Sequence, residues 1–168
     1  MNRVLYILLF IVTMIGNSCK MTVSFTGADV DENIKTATIE IFDNQAPLTN
    51  PNFSRIITEA LRDKFIRQTK LKLTNEGGDV NFKGAVTGYS TAPVAISGTE
   101  TASLTRLTIT VSVEYSNKLD EQKNFNQNFT RFADFNSTQN LNQVEDALMT
   151  EISNQLVQDI FNRAFLNW

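Results

Sequence analysis

Histidine is absent from the 168-residue chain, and cysteine occurs only once. Without histidine the chain cannot build a Ser-His or Cys-His catalytic pair, and it lacks the commonest zinc ligand. The sequence also contains no G-x-S-x-G, H-E-x-x-H, C-x-x-C or phosphate-binding glycine motif. These absences predict a protein that is not an enzyme and that uses no metal ion or cofactor.

Clustered positive charge is missing as well. The chain has 15 Lys and Arg against 18 Asp and Glu, which gives a formal net charge of −3. Nucleic-acid-binding proteins neutralise phosphates with concentrated basic residues. The charge pattern therefore predicts no nucleic-acid partner.

The N-terminus contains a short apolar run between two basic residues. Arg3 is the only charge before Lys20, and residues 4–15 are mostly apolar. A helix of that length spans about 18 Å, too little for the roughly 30 Å hydrocarbon core of a bilayer. A positive start, a short apolar stretch and then small residues are typical of a secretory signal peptide. We interpret residues 1–18 in this way.

Cys19 stands where a signal peptidase would leave it, at the first position of the mature chain. Bacterial lipoproteins carry a diacylglycerol on that thiol and an acyl chain, often palmitate, on the new amine, and two or more chains anchor a protein stably. We therefore expect lipidation of Cys19, with residues 19–35 as the lipidated tether, although Gly16 replaces the usual leucine of such signals. The alternative is a chance cysteine in an ordinary secreted protein. A lone cysteine excludes an internal disulfide.

After residue 35, segments in which every second side chain is apolar, typical of strands, are interspersed with segments in which apolar side chains recur every three to four residues, typical of helices. The predicted elements are a strand at 35–42, a helix from Pro51 to Gln68, strands that begin at Val80, Ser103 and Asn124, and a helix over 140–165. Asn50 and Asn140 stand at the helix starts as candidate caps. This order predicts one α+β domain over residues 36–168: a four-stranded, mostly antiparallel sheet with two helices packed on one face.

The stretch "SLTRLTITVSVEY" separates apolar from polar side chains most clearly. Its hydroxyl-rich side predicts an outer sheet face that is either solvated or in contact with a wet polar surface such as a channel wall. Residues 91–102 are interpreted as a loop. If the hairpin is centred near Ser97, Lys83 and Arg106 lie on this face about 16 Å apart. That separation is too large for both to hold one phosphate.

The spacing of phenylalanines in "NFNQNFTRFADF" is irregular. Phe125 and Phe129 share a face, but Phe132 breaks the alternation. We interpret the break as a bulge near Arg131, which would keep that residue out of the core.

Lys83 and Arg106 are candidate contacts for an anionic ligand, although a solvated surface charge is the expected role of each. Near the N-terminus Asp29, Asp31 and Glu32 form an acidic cluster, for which a solvated loop is the expected role and a Ca²⁺ site the alternative. We predict no metal site.

Several stretches resemble one known family over essentially the whole mature chain. They are "SFTGA", "APLTNPNFSRIITEALRDKFIRQTKL", "GYSTAPVAISGTETAS", "RLTITVSVEY" and "VQDIFNRAFLNW". They are similar to the LptE family, the lipopolysaccharide-assembly lipoproteins of the Gram-negative outer membrane, in the form found in Bacteroidetes. The resemblance implies an α+β fold without enzymatic activity or a cofactor.

The same resemblance implies a location and partners. Family members are lipid-anchored on the periplasmic side of the outer membrane and plug a large LptD-type β-barrel translocon. There they support barrel assembly and help deliver lipopolysaccharide to the cell surface, and the resemblance implies that basic residues on strands and loops contact the phosphorylated, anionic lipid. In this chain Lys83, Arg106 and Arg131 are the candidates for that contact, chosen by their positions alone. The alternative is a stand-alone envelope lipoprotein that binds a lipid or small ligand between helices and sheet. That alternative predicts a large apolar pocket, whereas a plug predicts a filled core.

Overall fold

The computed structural model describes residues 30–94 and 103–166. The helices are α1 (Asn52–Gln68) and α2 (Leu141–Phe165), and the strands are β1 (Thr36–Ile39), β2 (Asp43–Asn44), β3 (Lys72–Thr74), β4 (Val80–Val94), β5 (Leu104–Asn117) and β6 (Phe125–Asn136). A short 3-10 helix over Glu121–Lys123 precedes β6. The α+β class and the two long helices are confirmed.

Both helices begin at asparagine side chains. The Asn50 side chain accepts a hydrogen bond from the N–H of Asn52 (3.0 Å), and Asn140 does the same for Asn142 (3.1 Å). Each bond satisfies a backbone donor that the first helical turn cannot pair internally. Pro51 stands directly before the first residue of α1, where its missing N–H costs no hydrogen bond.

The sheet is mixed and has six strands, in contrast to the predicted four-stranded and mostly antiparallel sheet. The order is β3-β1-β4-β5-β6, with β2 paired to β4. Pairs β4–β5 and β5–β6 are antiparallel, but β1 pairs in parallel with β3 and β4, and β2 pairs in parallel with β4. The parallel pairing of β1 with β3 follows because α1 carries the chain back across the sheet between them.

Both helices cover one face of the sheet, here called the inner face. Its centre is a cluster of aromatic rings from both helices and the central strands. Phe65 lies with its ring centroid 5.0 Å from that of Phe82, 5.5 Å from Phe161 and 5.4 Å from Phe165. Edge-to-face pairs at these distances are the favoured aromatic geometry. The rings fill the space between helices and sheet at this end of the molecule.

The β4–β5 hairpin is longer than the sequence pattern indicated. Residues 91–94 of the predicted loop continue β4, and pairing extends to Val94 opposite Leu104. The rest of that predicted loop, 95–102, lies outside the described residues. Lys83 is paired with Glu114, eight residues along β5 from Arg106. The separation of Lys83 and Arg106 along the strands is therefore about 27 Å, and the predicted 16 Å was too short.

The predicted bulge near Arg131 is absent from β6, which keeps one register with β5 from Phe125 to Asn136. Instead, a bulge occurs in β4, where the register shifts between Val86 and Gly88. Arg131 consequently lies on the inner face opposite Ile109. Its side chain is 46% exposed, so it stays out of the core as predicted, but the bulge predicted as the reason was wrong. The strand stays regular because β6 is an edge strand, where a long Arg side chain reaches past the core.

Candidate functional site

The outer face of the sheet, formed by the alternate side chains of β4, β5 and β6 that point away from the helices, is polar. Its hydroxyl and amide members are Asn81, Ser90, Thr108, Thr110, Ser112, Asn126, Asn128 and Thr130. Neighbouring side chains on adjacent strands bond to each other: the hydroxyls of Thr110 and Thr130 are 2.9 Å apart, and Ser112 donates to Asn126 at 3.4 Å. This face can therefore form hydrogen bonds over a broad area.

Arg106 lies on the outer face, as predicted, but its charge is paired. Its guanidinium makes two hydrogen bonds to the carboxylate of Asp134, Nε to Oδ1 at 2.7 Å and an amino group to Oδ2 at 2.8 Å. The same group lies 3.6 Å above the ring centroid of Phe132. The two hydrogen bonds hold the pKa of the Asp134 carboxyl below its usual range and raise the pKa of Arg106.

Arg131 is paired in the same way, across the other face. Its Nε and one amino group bond to the two carboxylate oxygens of Asp159 in α2, at 2.6 and 2.8 Å. This pairing raises the pKa of Arg131 and joins the edge strand β6 to the helix that packs on it. Arg131 and Arg106 therefore lie on opposite faces of the sheet and cannot act on one ligand together.

Lys83 is exposed on the outer face, and no ion pair of the described residues includes it. It lines an open, polar depression of about 190 Å³ together with Asp43, Gln45, Ser112, Glu114 and Asn126. Two carboxylates and one ammonium group meet there. Of the three basic candidates, Lys83 is the one whose ammonium group can reach an anionic ligand without first breaking an ion pair.

Other predicted features lie outside the described residues or have local roles. Cys19 and Asp29 belong to the first group. Asp31 accepts hydrogen bonds from the backbone and side-chain nitrogens of Asn33, both at 2.9 Å, and these bonds lower its pKa. Within 30–94 and 103–166, no three His, Cys, Asp or Glu residues are grouped so that they could hold a metal ion.

Neither α1 nor α2, nor any other helix in the described part of the chain, is long and apolar enough to cross a membrane.

A polar junction that the sequence pattern did not indicate joins three elements beside the β4 bulge. Tyr89 on β4 bonds through its hydroxyl to one carboxylate oxygen of Glu145 in α2. The other oxygen of Glu145 accepts from the Asn50 side chain at 2.9 Å. Burial, together with the bond to Glu145, raises the pKa of Tyr89 well above its ordinary value. The bulge makes this possible because it shifts the phase of β4 and so turns Tyr89 to the inner face.

The two helices pack an aromatic core against one face of the sheet, and the other face is polar. A family model described as lipopolysaccharide-assembly, LptE, matches residues 34–164. The chain belongs to the LptE family, which is a non-enzymatic lipopolysaccharide-assembly family and does not depend on a cofactor. No curated protein sequence matches the chain at a significant level.

Solved structures resemble the fold at low sequence identity. The CT253 protein of Chlamydia trachomatis has a TM-score of 0.52 at 9% identity and covers 80% of this chain and 99% of its own. The XCC0632 protein of Xanthomonas campestris has a TM-score of 0.51 at 11% identity, with 81% and 91% covered. A homologue of the neuraminyllactose-binding hemagglutinin from Helicobacter pylori has a TM-score of 0.51 at 6% identity, with 81% and 86% covered. These similarities support the fold and nothing more specific.

Proposed function

We propose that this protein is an outer-membrane lipoprotein that plugs the lumen of an LptD-type β-barrel lipopolysaccharide translocon. In this role it supports assembly of the barrel and assists delivery of lipopolysaccharide to the cell surface. It acts by shape and binding and not by catalysis. The observation that carries the proposal is the polar outer face of the sheet in a chain that belongs to a lipopolysaccharide-assembly family.

The polar outer face suits the lumen of a large barrel, because the interior of such barrels is polar and contains water. The hydroxyl and amide side chains of β5 and β6 can exchange hydrogen bonds with that wall directly or through water. A large apolar face, in contrast, would favour a lipid or a second hydrophobic protein. The pairing of Arg106 and Asp134 further reduces the cost of placing this face against another protein.

The filled core favours a plug over a stand-alone carrier. A protein that carries a lipid between its helices and sheet needs an apolar cavity of several hundred Å³ there. In this structure the rings of Phe65, Phe82, Phe161 and Phe165 occupy that region, and the polar depression beside Lys83 opens on the opposite side of the sheet. The geometry therefore gives the stand-alone alternative little support.

The anchor is the lipid that we predict on Cys19, with residues 19–35 as the tether on the periplasmic side of the outer membrane. Lipopolysaccharide itself is the second partner. We propose Lys83 as its first phosphate contact, with Arg106 and Arg131 as further candidates that would have to exchange a carboxylate for the lipid.

Affinity purification from detergent-extracted membranes tests the proposal. The tagged full-length protein is expected to recover one large outer-membrane barrel in stoichiometric amount, and intact-mass analysis is expected to give a triacylated chain that starts at residue 19. Recovery of the protein without a barrel would argue against the plug. An unmodified Cys19 thiol, or a mature chain that starts at another residue, would contradict the predicted lipid anchor but not the proposed plug, which the affinity purification tests independently.

A further inference from the structure

In the part of the chain that the structure describes, the outer edge of β6 is a long row of backbone groups without a strand partner. β6 is twelve residues long and stands at the end of the strand order. It keeps one register with β5 over its whole length. Within residues 30–94 and 103–166, no strand pairs with its other side.

The phase of the β5–β6 ladder identifies which backbone groups are free. The N–H of Ser137 donates to the carbonyl of Ser103 at 2.9 Å, directly beyond the pair Leu104–Asn136. Since hydrogen-bonded and non-hydrogen-bonded pairs alternate in an antiparallel ladder, the odd-numbered residues of β6 bond to β5. The even-numbered residues direct their N–H and C=O groups to the outer edge. These residues are Asn126, Asn128, Thr130, Phe132 and Asp134.

Among the described residues, β6 lacks most of the features that usually protect an edge strand. The exception is Arg131, a charged side chain on the inner face of the edge. Natural edges are blunted by proline, by lysine, by a bulge or by shortness. β6 has no Pro, Gly or Lys, no register shift, and its two charged side chains, Arg131 and Asp134, are each held by a partner of opposite charge. At the opposite end of the sheet, β3 has only three residues and begins with Lys72. The contrast indicates that the β6 edge is kept open.

We infer that the outer edge of β6 binds an extended strand supplied by the barrel partner, which joins the sheet as an additional strand. This inference rests on the proposed function and names the surface through which the partner is held. Backbone hydrogen bonds to the even-numbered residues of β6 supply the affinity, as in other cases of strand addition.

A second copy of this chain is a poorer occupant of the edge. A strand of twelve residues is about 40 Å long, and the sheet is about 10 Å thick, so edge-to-edge contact buries roughly 400 Å² per partner. Stable protein interfaces bury about 800 Å² per partner. Only one large apolar side chain beside this edge, Phe132, is substantially exposed, at 45%. A flexible extended segment is not limited to this strip, because its residues on either side of the added strand can also lie against the outer face.

The chemistry of the edge also predicts the strand that fits it. The exposed side chains beside the free backbone groups are uncharged from Asn126 to Phe132, apart from the paired Arg131. A partner residue opposite Phe132 lies on the outer face with its Cβ about 5 Å away. The bound strand is therefore expected to be uncharged at its centre and to place a large apolar or aromatic side chain against Phe132.

Substitutions at Asn128 test the inference, because its N–H is free and no hydrogen bond of its side chain is present among the described contacts. Asn128→Pro removes that donor, and Asn128→Lys adds an edge charge. Asn128→Pro is expected to lower recovery of the barrel from membranes about tenfold, as expected for losing one or two backbone hydrogen bonds. Asn128→Lys keeps the backbone donor and is expected to lower recovery because it places a charge beside the added strand. Asn128→Ala keeps the backbone donor and removes only the side chain from the outer face, so it measures what that side chain contributes, and Asn128→Pro is expected to recover clearly less barrel than Asn128→Ala. Asn154→Lys, which adds the same charge on the exposed side of α2, is expected to recover the barrel as the wild type does.

The outcomes separate this inference from the proposed function. If the wild type recovers no barrel, the proposed function fails first. If the wild type recovers the barrel and Asn128→Pro and Asn128→Lys both do so equally well while remaining folded by circular dichroism, the strand-addition inference is overturned and the plug stands. A purified wild-type dimer that Asn128→Pro dissociates would assign the edge to a second copy and likewise contradict the inference.

Hydrogen exchange of the isolated protein gives an independent check on the free edge. The amides of Asn126, Asn128, Thr130 and Phe132 are expected to exchange at least about a hundredfold faster than those of Phe129 and Ala133, since only the latter bond to β5. Equal protection of both sets would mean that the edge is already occupied, which overturns the inference.

Discussion

Arg106 and Asp134 face each other across β5 and β6 and form a two-bonded ion pair on the outer face of the sheet. The ring of Phe132 lies beneath the guanidinium, at 3.6 Å. The charge of Arg106 is thus neutralised by Asp134, and its flat guanidinium is stacked on the ring of Phe132. Arg106 is a candidate lipid contact by its position in the sequence, but in the folded protein its guanidinium is paired with Asp134.

The first prediction compares Lys83 with Arg106 as contacts for lipopolysaccharide. Lys83→Gln is expected to weaken binding of purified lipopolysaccharide about threefold to tenfold, because it removes an unpaired positive charge from the outer face. Arg106→Gln makes the same change in net charge but removes a charge that Asp134 already neutralises. It is expected to lower the melting temperature and to leave the affinity near that of the wild type.

Fluorescence titration with lipopolysaccharide and thermal unfolding together distinguish these two effects. A loss of affinity in Arg106→Gln equal to that in Lys83→Gln would show that the lipid displaces Asp134. The proposal that Lys83 is the first phosphate contact would then be wrong.

Gly84 provides the second prediction, which concerns packing. A Cβ at Gly84 would lie 2.4 Å from ring atoms of Phe42, which is 1% exposed. Gly84→Ala is therefore expected to destabilise the protein by about 1–3 kcal/mol, because the ring cannot move freely in a packed core. In Phe42→Leu the smaller side chain leaves room, so the double variant should lose less stability than the sum of the single variants. Urea unfolding of the four proteins measures this coupling, and simple additivity would contradict the contact.

Long helices and strands could be predicted from the sequence, whereas short strands could not. The helices α1 and α2 and the strand β5 were predictable because each repeats its apolar period several times. β2 and β3 have two and three residues, too few for any period to be visible. Their parallel pairing depends on how α1 crosses the sheet, and a local pattern cannot contain that information.

Phe132 shows why a bulge in β6 was wrongly predicted. Its aromatic side chain breaks the alternation set by Phe125 and Phe129, and the sequence does not indicate that it lies on the outer face beneath Arg106. Arg106 and Asp134 are 28 residues apart, as are Arg131 and Asp159. Pairings over such distances follow from strand register and helix packing, so the sequence alone could supply the candidate cations but not their partners.

The third prediction concerns the ion pair between Arg131 and Asp159. The Arg131 side chain is 46% exposed, so water and salt screen the interaction despite its two hydrogen bonds. A double-mutant cycle with Arg131→Ala and Asp159→Ala is expected to give a coupling of only about 0.2–1 kcal/mol. The coupling should shrink further in 1 M salt. A coupling of several kcal/mol that is insensitive to salt would mean that the pair is buried in solution.

The final prediction uses the two tyrosines of the described residues, Tyr89 and Tyr115. Burial raises the pKa of Tyr115 to about 12. The pKa of Tyr89 is raised further, first by burial and then by its bond to Glu145. A folded protein that begins at residue 20 is therefore expected to show no tyrosine ionisation near pH 10, where unfolded tyrosine titrates.

The same shifts determine how stability depends on alkaline pH. Between about pH 10 and 12 the unfolded chain releases its tyrosine protons while the folded protein retains them, so stability is full below pH 10 and falls as the pH rises. For Tyr115 the expected loss by pH 12 is roughly 2–3 kcal/mol. Tyrosinate absorbance of the wild type and Tyr89→Phe, against a guanidinium-unfolded control, measures both groups. Ionisation of either folded tyrosine near pH 10 would place its hydroxyl in water and contradict the packing of the inner face.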